Sequence, residues 1–244
     1  MNDFMTTKAE MTEAKQLRRT AAKVGTLYII GTVAGCCSVI AKPVLDDPNY
    51  LGNVVRNPAP VIIGALLILT MGIALAMMSV CLYPLLRKHN PAVATGYVVF
   101  RGALETATYI ITAFCWLISV ALGRAAGQVG ADTAVLSAVS KALTDPRAGS
   151  AITMLFFIIG AVMLYSVLYR ARLVPRWISV WGLVSAVPYF LSGMLVLFGA
   201  IGSGSDAECL MTMPMLLQEM VLAVWLIAKG FNKQAGTTVQ ASAA

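Results

Sequence analysis

Three ionisable residues stand inside long apolar stretches of the sequence: Arg101, Glu105 and Glu219. A charge at the centre of a membrane helix costs about 2.5–3.5 kcal/mol on insertion scales, so such residues normally face a bundle interior and pair with one another. Arg101 and Glu105 are four residues apart, which places them on the same face of one helix. This combination is suited to ion pairing or to a pathway for a proton or a small solute.

Arg101 and Glu105 belong to a longer polar stripe whose members follow each other at spacings of four or three residues. Such a stripe covers about six helical turns and cannot face lipid. We therefore expect it to line the interior seam of a bundle or a wet cavity. The members of the stripe are Tyr97, Arg101, Glu105, Thr108, Thr112, Cys115 and Ser119.

The depths of Arg101 and Glu219 predict direct contact between them. At about 1.5 Å rise per residue, they lie roughly 14 Å and 15 Å inside their helices, measured from the same membrane face. We expect an Arg101–Glu219 pair, with Glu105 adjacent and Gln218 nearby. Two carboxyl groups beside one guanidinium leave one acid without a counter-charge, which a proton would neutralise.

The composition indicates the environment of these helices. Hydrophobic residues make up 59% of the 244 residues and charged residues 12%, whereas a soluble domain contains about 25% charged residues. A soluble globule and a disordered chain are both excluded. Six continuous apolar runs, each near the length of a membrane helix, predict an all-α integral membrane bundle rather than a barrel of alternating strands. The runs are approximately Val24–Ala41, Val61–Pro84, Val93–Leu122, Ala151–Tyr169, Trp177–Ile201 and Thr212–Ala228.

The distribution of positive charge predicts the orientation of the bundle. Twelve of the 18 Lys and Arg residues fall in the two termini and in the loops on the same side as the termini. Basic residues are enriched in cytoplasmic loops, so we expect both termini to be cytoplasmic, as an even number of spans requires. The net charge of +7 is then a topology signal. The expected partner is the lipid bilayer and not nucleic acid.

The chain divides into a basic cytoplasmic tail at 1–23, a six-span domain at 24–231 and a disordered cytoplasmic tail at 232–244. The loop at 123–150 contains a predicted surface helix, which either lies in the bilayer interface or caps the bundle. Its apolar face is formed by Val129, Val135, Leu136, Val139 and Leu143.

The cysteines and the single histidine give little sign of chemistry. Val33-Ala34-Gly35-Cys36 resembles a lipoprotein cleavage site, which would leave five spans after cleavage, but the apolar run continues beyond Cys36 as in an ordinary membrane helix. His89 lies in a basic loop, and no Cys or His spacing is typical of a metal site. We therefore expect no catalytic residue, metal or cofactor.

Several short segments, from about Met11 to Phe231, resemble domain-of-unknown-function family 4386 of bacterial polytopic inner-membrane proteins. The resemblance implies a bacterial origin, the inner membrane and a shared six-span architecture, and it implies no activity. It departs from the family pattern at Arg147–Ser150, where similar chains carry a histidine. The segments are Gly25–Tyr28, Leu82–Arg87, Arg101–Glu105, Leu168–Arg170, Leu173–Trp177, Gly182-Leu183, Pro214, Gln218-Glu219 and Ala223–Phe231.

Three functional interpretations remain open from the sequence. The first is a non-enzymatic membrane protein in which the cluster of Arg101, Glu105 and Glu219 is structural or lines a cavity. The second is a small-solute or proton-coupled transporter, which requires a water-filled path to the cluster. The third is an enzyme acting on a lipid-like substrate, which requires an apolar pocket open to the bilayer. A small-molecule or lipid ligand and the oligomeric state are left open.

Overall fold

The computed structural model describes residues 2–47, 49–128 and 131–232. Within these ranges the chain is mainly helical and contains no strand, which confirms the predicted all-α class. A 3₁₀ turn at Val39–Ala41 follows the first helix, and a π-helix at Val98–Leu104 joins two others. The α-helices are α1 (Asn2–Ser38), α2 (Lys42–Leu45), α3 (Tyr50–Arg56), α4 (Ala59–His89), α5 (Pro91–Tyr97), α6 (Glu105–Ala126), α7 (Thr133–Thr144), α8 (Pro146–Arg170), α9 (Arg176–Leu197) and α10 (Asp206–Ala228).

Six helical stretches in the described residues are long and apolar enough to cross a membrane, which confirms the predicted number of spans. Spans 1, 2, 4, 5 and 6 are α1, α4, α8, α9 and α10, and span 3 consists of α5, the π-helix and α6. Helix α1 extends over 37 residues and includes most of the predicted basic tail. The tail contains several Ala, Lys, Arg and Glu residues, which favour helix, so the helix projects beyond the roughly 30 Å hydrocarbon core.

Spans 3 and 4 each begin with a polar capping residue that is followed by proline. Between spans 2 and 3, the Asn90 side chain accepts a hydrogen bond from Val93 N–H, and Pro91 occupies the first helical position. Asp145 and Pro146 begin α8 in the same way. Both arrangements satisfy backbone donors at a helix start, where proline has no N–H to lose.

One end of the bundle carries most of the described basic side chains, and we call it the basic end. Here Arg18 Nη1 lies 3.3 Å from Lys229 O, which joins the start of span 1 to the end of span 6. Lys88 Nζ lies 2.7 Å from Glu13 Oε1, which joins span 2 to span 1. The turn between spans 4 and 5 is at the same end, because Asn232 N–H donates to a carbonyl of this turn.

The opposite end, which we call the far end, is formed by the three remaining loops. They meet around a pocket of about 480 Å³ that is lined by residues such as Asp46, Arg147 and Ser203. Helix α7 lies against α6 at this end. Its Leu136 packs against a small cluster around Tyr50, while Val135, Val139 and Leu143 are exposed. The helix thus covers part of the bundle and keeps an exposed apolar stripe; Val129 is outside the described residues.

The six spans form a closed ring in chain order. Each span contacts the next one, and span 6 returns to contact span 1. Spans 3 and 6 are therefore on opposite sides of the ring. A side-chain contact between these two spans has to cross the centre of the bundle.

The largest hydrophobic core fills the half of the ring nearest the basic end, which we call the basic half. It contains the fully buried side chains of Tyr97, Tyr165, Met78, Leu86 and Ile178. In the other half, the far half, the described residues form two small clusters: one joins α3 to spans 2 and 3, and the other lies between spans 2 and 3. Ser119 and Ser192 are among the buried polar residues of this half.

The fold shows where two sequence predictions lie but does not test them. Cys36 lies within the continuous helix α1 and is exposed on its surface. The lipoprotein interpretation therefore remains a prediction. In the predicted disordered tail, Asn232 contacts the turn between spans 4 and 5, and residues 233–244 are outside the described residues.

Candidate functional site

The central cluster consists of Arg101, Glu105 and Glu219, and a change in helix geometry in span 3 positions it. Arg101 lies within the π-helix Val98–Leu104, and the N–H of Glu105 donates to Phe100 O, five residues earlier. A π-turn is wider than an α-turn and occurs frequently at functional sites. Gly160 on span 4 leaves space for the π-helix of span 3, because a Cβ atom on residue 160 would lie 2.9 Å from Arg101 Cβ.

The guanidinium of Arg101 contacts a carboxylate on its own span and another on the opposite span. Its Nη1 lies 3.1 Å and 3.0 Å from the two carboxylate oxygens of Glu105. Its Nη2 lies 2.9 Å from Oε1 of Glu219. The structure thus brings together the three ionisable residues that the sequence placed inside spans, and the contact crosses the ring between spans 3 and 6.

The three side chains of the cluster are nearly buried, and their exposed fractions differ. The side-chain exposures of Arg101 and Glu105 are 3% and 0%, whereas that of Glu219 is 12%. Buried charges need partners in direct contact, since desolvation removes their interaction with water. Glu219 is therefore the most exposed of the three side chains in the cluster.

Two aromatic side chains complete the surroundings of the cluster. The hydroxyl group of Tyr109 donates to Oε1 of Glu105 at 2.8 Å. The guanidinium carbon of Arg101 lies 4.2 Å from the ring centroid of Phe157, a cation–π geometry. Arg101 is thus held by two carboxylates and by an aromatic face on span 4.

Gln218 is next to Glu219 in sequence but belongs to a separate network. Its Oε1 accepts from the Tyr165 hydroxyl at 2.6 Å, and its Nε2 donates to Ile178 O at 3.0 Å. These bonds join spans 4, 5 and 6 in the basic half. Gln218 is therefore buried, and its amide is hydrogen-bonded to Tyr165 and Ile178 rather than to the central cluster.

The threonines of the polar stripe connect span 3 to span 4. Thr108 Oγ1 donates to Glu105 O at 2.7 Å and accepts from Thr153 Oγ1 at 2.8 Å. Thr112 Oγ1 donates to Thr108 O at 3.0 Å. Thr108 and Thr112 are half-buried, as is Cys115, whereas Tyr97 and Ser119 are buried. The stripe faces the interior along its length, with its looser section in the far half.

Several residues of the site were missed by sequence reasoning. Tyr109 follows Glu105 by four residues, so the spacing rule that paired Arg101 with Glu105 would also have found it. Phe157, Tyr165 and Thr153 lie in an apolar span, and their spacing does not distinguish them from ordinary core residues. The π-helix has no spacing signal of its own.

Two pockets in the described part of the structure lie away from the central cluster. The first is the far-end pocket of about 480 Å³, and the second, of about 560 Å³, lies between α3, α6 and α7. Neither is lined by Arg101, Glu105 or Glu219. Among the described residues, no group of three or more His, Cys, Asp and Glu side chains is arranged to hold a metal ion.

The fold and the site together define an α-helical multi-pass membrane protein with an ionic cluster across its centre. A family model described as "Domain of unknown function (DUF4386)" matches residues 24–230, which is most of the chain. The chain therefore belongs to this family, and the resemblance stated from the sequence is confirmed. Searches of curated proteins and of solved structures find no match.

Proposed function

We propose that this chain is a non-enzymatic protein of the bacterial inner membrane, with both termini in the cytoplasm, and that the central cluster fixes the arrangement of its six spans. The grouping of Lys and Arg at the basic end supports the orientation, because basic residues accumulate on the cytoplasmic side. The sequence resemblance to bacterial inner-membrane proteins supports the location.

The observation that carries this proposal is the contact between Arg101 and Glu219 across the ring. Neighbouring spans can be held by packing of small residues along their length. Spans 3 and 6 are opposite each other, so the ionic contact supplies a specific connection between them. Removing Arg101 would leave the buried carboxylates without their cation, whereas removing Glu219 would leave Arg101 paired with Glu105 but lose the contact across the ring.

A double-mutant cycle between Arg101 and Glu219 tests the structural role. Arg101→Gln, Glu219→Gln and the double variant would be purified in neutral detergent, and their free energies of unfolding compared. We expect the double variant to be more stable than the sum of the single effects predicts, with a coupling of about 3 kcal/mol or more.

The matched control is the same cycle at the exposed Lys88–Glu13 pair, whose two side chains are more than half exposed. Exposed pairs contribute about 0–1 kcal/mol, so this coupling should be small. Equal couplings at the two sites would contradict a special structural role for the central pair.

A second candidate function, a proton-coupled or small-solute carrier, is favoured by the charges of the cluster. Two carboxyl groups and one guanidinium give an excess of one negative charge in the interior of the bundle, which a proton or a bound cation would neutralise. Glu219 is the carboxyl group with partial exposure, 12% of its side chain. Proton exchange at Glu219 would provide the coupling step of such a carrier.

A membrane-soluble carbodiimide tests this second candidate, because it modifies protonated carboxyl groups inside membranes. If Glu219 exchanges a proton, intact-mass spectrometry should show one adduct per chain, which Glu219→Gln abolishes and Glu105→Gln retains. The absence of an adduct at pH values from 5 to 8 would contradict proton binding. It would leave the structural proposal unaffected.

The third interpretation, an enzyme acting on a lipid-like substrate, has no specific contact in its favour. It requires Glu105 or Glu219 in the wall of an apolar pocket open to the bilayer. Glu105 is fully buried, and its carboxylate is bound by Arg101 and Tyr109. We therefore do not propose an enzymatic function.

A further inference from the structure

The turn between spans 4 and 5 has an unusual residue at its tightest point. Helix α8 ends at Arg170, and the N–H of Leu173 returns to Leu168 O at 3.1 Å, the closing bond of a helix C-terminal motif. Arg172 occupies the left-handed position of this motif, with φ of 51°. Glycine is the common residue there, because other side chains are strained in this conformation. The strained arginine suggests that its side chain has a use.

The turn is fixed from outside by the segment that follows span 6. The backbone N–H of Asn232 donates to Leu173 O at 2.9 Å, and its Nδ2 donates to Arg172 O at 2.8 Å. These two bonds connect the end of span 6 to the turn. The backbone that carries Arg172 is therefore held in one conformation.

Three exposed arginines surround this turn: Arg170, Arg172 and Arg176, which we call the arginine turn. Among the described residues, no carboxylate lies within ion-pair distance of them, in contrast to Lys88, which pairs with Glu13. The first turn of α9, which begins at Arg176, contains no acidic residue. The positive charge of the arginine turn is thus uncompensated within the described protein.

Aromatic side chains place the arginine turn at the edge of the membrane. Trp177 is 53% exposed and stacks on Trp181 at a centroid distance of 6.3 Å. Tyr169 is 37% exposed, and the guanidinium carbon of Arg176 lies 5.1 Å from its ring centroid. Exposed Trp and Tyr at the end of a span lie at the level of the lipid headgroups. The arginines are therefore level with lipid phosphates.

We propose that the arginine turn binds the headgroup of an anionic phospholipid, with its phosphate between the three guanidinium groups and its acyl chains along Trp177 and Trp181. A guanidinium group fits phosphate because its parallel N–H groups can donate to two oxygens at once. The excess of positive charge over negative charge in the turn favours a lipid with net negative charge over a zwitterionic one. This inference is independent of the role of the central cluster.

Lipid binding by the purified full-length protein in neutral detergent tests the proposal. Native mass spectrometry would compare the retention of phosphatidylglycerol and phosphatidylcholine. For the triple variant Arg170→Gln/Arg172→Gln/Arg176→Gln, we expect the preference for phosphatidylglycerol to fall roughly tenfold or more, since each basic residue near an anionic surface contributes about fivefold.

The matched control is Lys15→Gln/Arg19→Gln/Lys23→Gln, which removes three exposed charges from α1. The control should retain most of the preference. An equal loss in both triple variants would show general electrostatic attraction and overturn the proposal. Displacement of the lipid by millimolar inorganic phosphate alone would assign the turn to a free anion and also overturn it.

The single variant Arg172→Gly covers the case in which the triple variant does not fold. Glycine relieves the strained conformation, so the melting temperature should rise or stay unchanged in detergent without lipid, while the preference for phosphatidylglycerol falls several-fold. An unchanged preference in this variant would show that Arg172 does not contact lipid and would contradict its part in the proposal.

Discussion

The basic half and the far half of the bundle bury different kinds of side chain. In the basic half, the Tyr165 ring lies against Gly182 on a neighbouring span, while Gly96 faces the thioether of Met163. In the far half, glycines on span 1 and span 5 face the flexible thioethers of Met71 and Met154. Hydroxyl groups such as those of Thr108 and Thr153 share the interior there.

This difference indicates how the two halves respond to change. A ring that is packed on all sides and hydrogen-bonded has one position, whereas a methionine side chain adapts to a new neighbour at little cost. The central cluster lies between the two halves. We infer that the contact between Gly182 and Tyr165 in the basic half is rigid and that the contacts of Met71 and Met154 in the far half are adaptable.

The largest change in stability is expected for a substitution of Arg101 in the central cluster. Arg101→Met leaves the carboxyl groups of Glu105 and Glu219 without their cation and should destabilise the protein by about 3–5 kcal/mol. The loss would be measured as the change in free energy of unfolding in detergent.

The triple variant Arg101→Met/Glu105→Gln/Glu219→Gln removes all three charges and should recover a large part of this loss, because neutral side chains need no buried counter-charge. If the triple variant were as unstable as Arg101→Met, the charges would not be the cause. The central cluster would then be held by packing alone.

A comparison of two glycine variants tests the contrast in rigidity directly. An added Cβ at Gly182 would lie 2.7 Å from the Tyr165 ring, and at Gly35 it would lie 2.7 Å from Met71 Sδ. Gly182→Ala should cost up to about 3 kcal/mol, since the ring cannot move away. Gly35→Ala should change stability by less than about 1 kcal/mol, because the thioether moves and alanine favours helix. Equal losses in thermal unfolding would refute the contrast.

The next largest change in stability is expected on loss of the hydrogen bond between Tyr165 and Gln218 in the basic half. Tyr165→Phe keeps the ring and removes the donor, so the buried Oε1 of Gln218 loses its partner. We expect a loss of about 1–2 kcal/mol in the free energy of unfolding. Tyr165→Phe/Gln218→Leu should be less unstable than the sum of its parts, and strict additivity would show that the bond is not coupled.

The sequence predicted the features that depend on polarity. The number of spans follows from apolar length, and the meeting of Arg101 with Glu219 follows from their equal depths. Both arguments use only the cost of polar groups in lipid. They do not require the order of the spans around the ring.

The features that depend on packing could not be predicted. The π-helix around Arg101 needs the space left by Gly160, which is distant in sequence. The orientation of Gln218 away from Arg101 depends on Tyr165 being within reach on another span. Such contacts arise from the arrangement of all six helices, and neither spacing nor hydropathy records that arrangement.

The smallest effect is expected for the polar contact in the far half. Thr153→Val removes the hydroxyl group that lies 2.8 Å from both Thr108 Oγ1 and Gly149 O, without changing the size of the side chain. Hydrogen bonds between membrane helices contribute about 0.6 kcal/mol on average, and Thr108 still donates to Glu105 O, so no donor is left unpaired. The loss of unfolding free energy should therefore be smaller than that of Tyr165→Phe. A loss as large as that of Tyr165→Phe would mean that this contact in the far half is held as tightly as the one in the basic half.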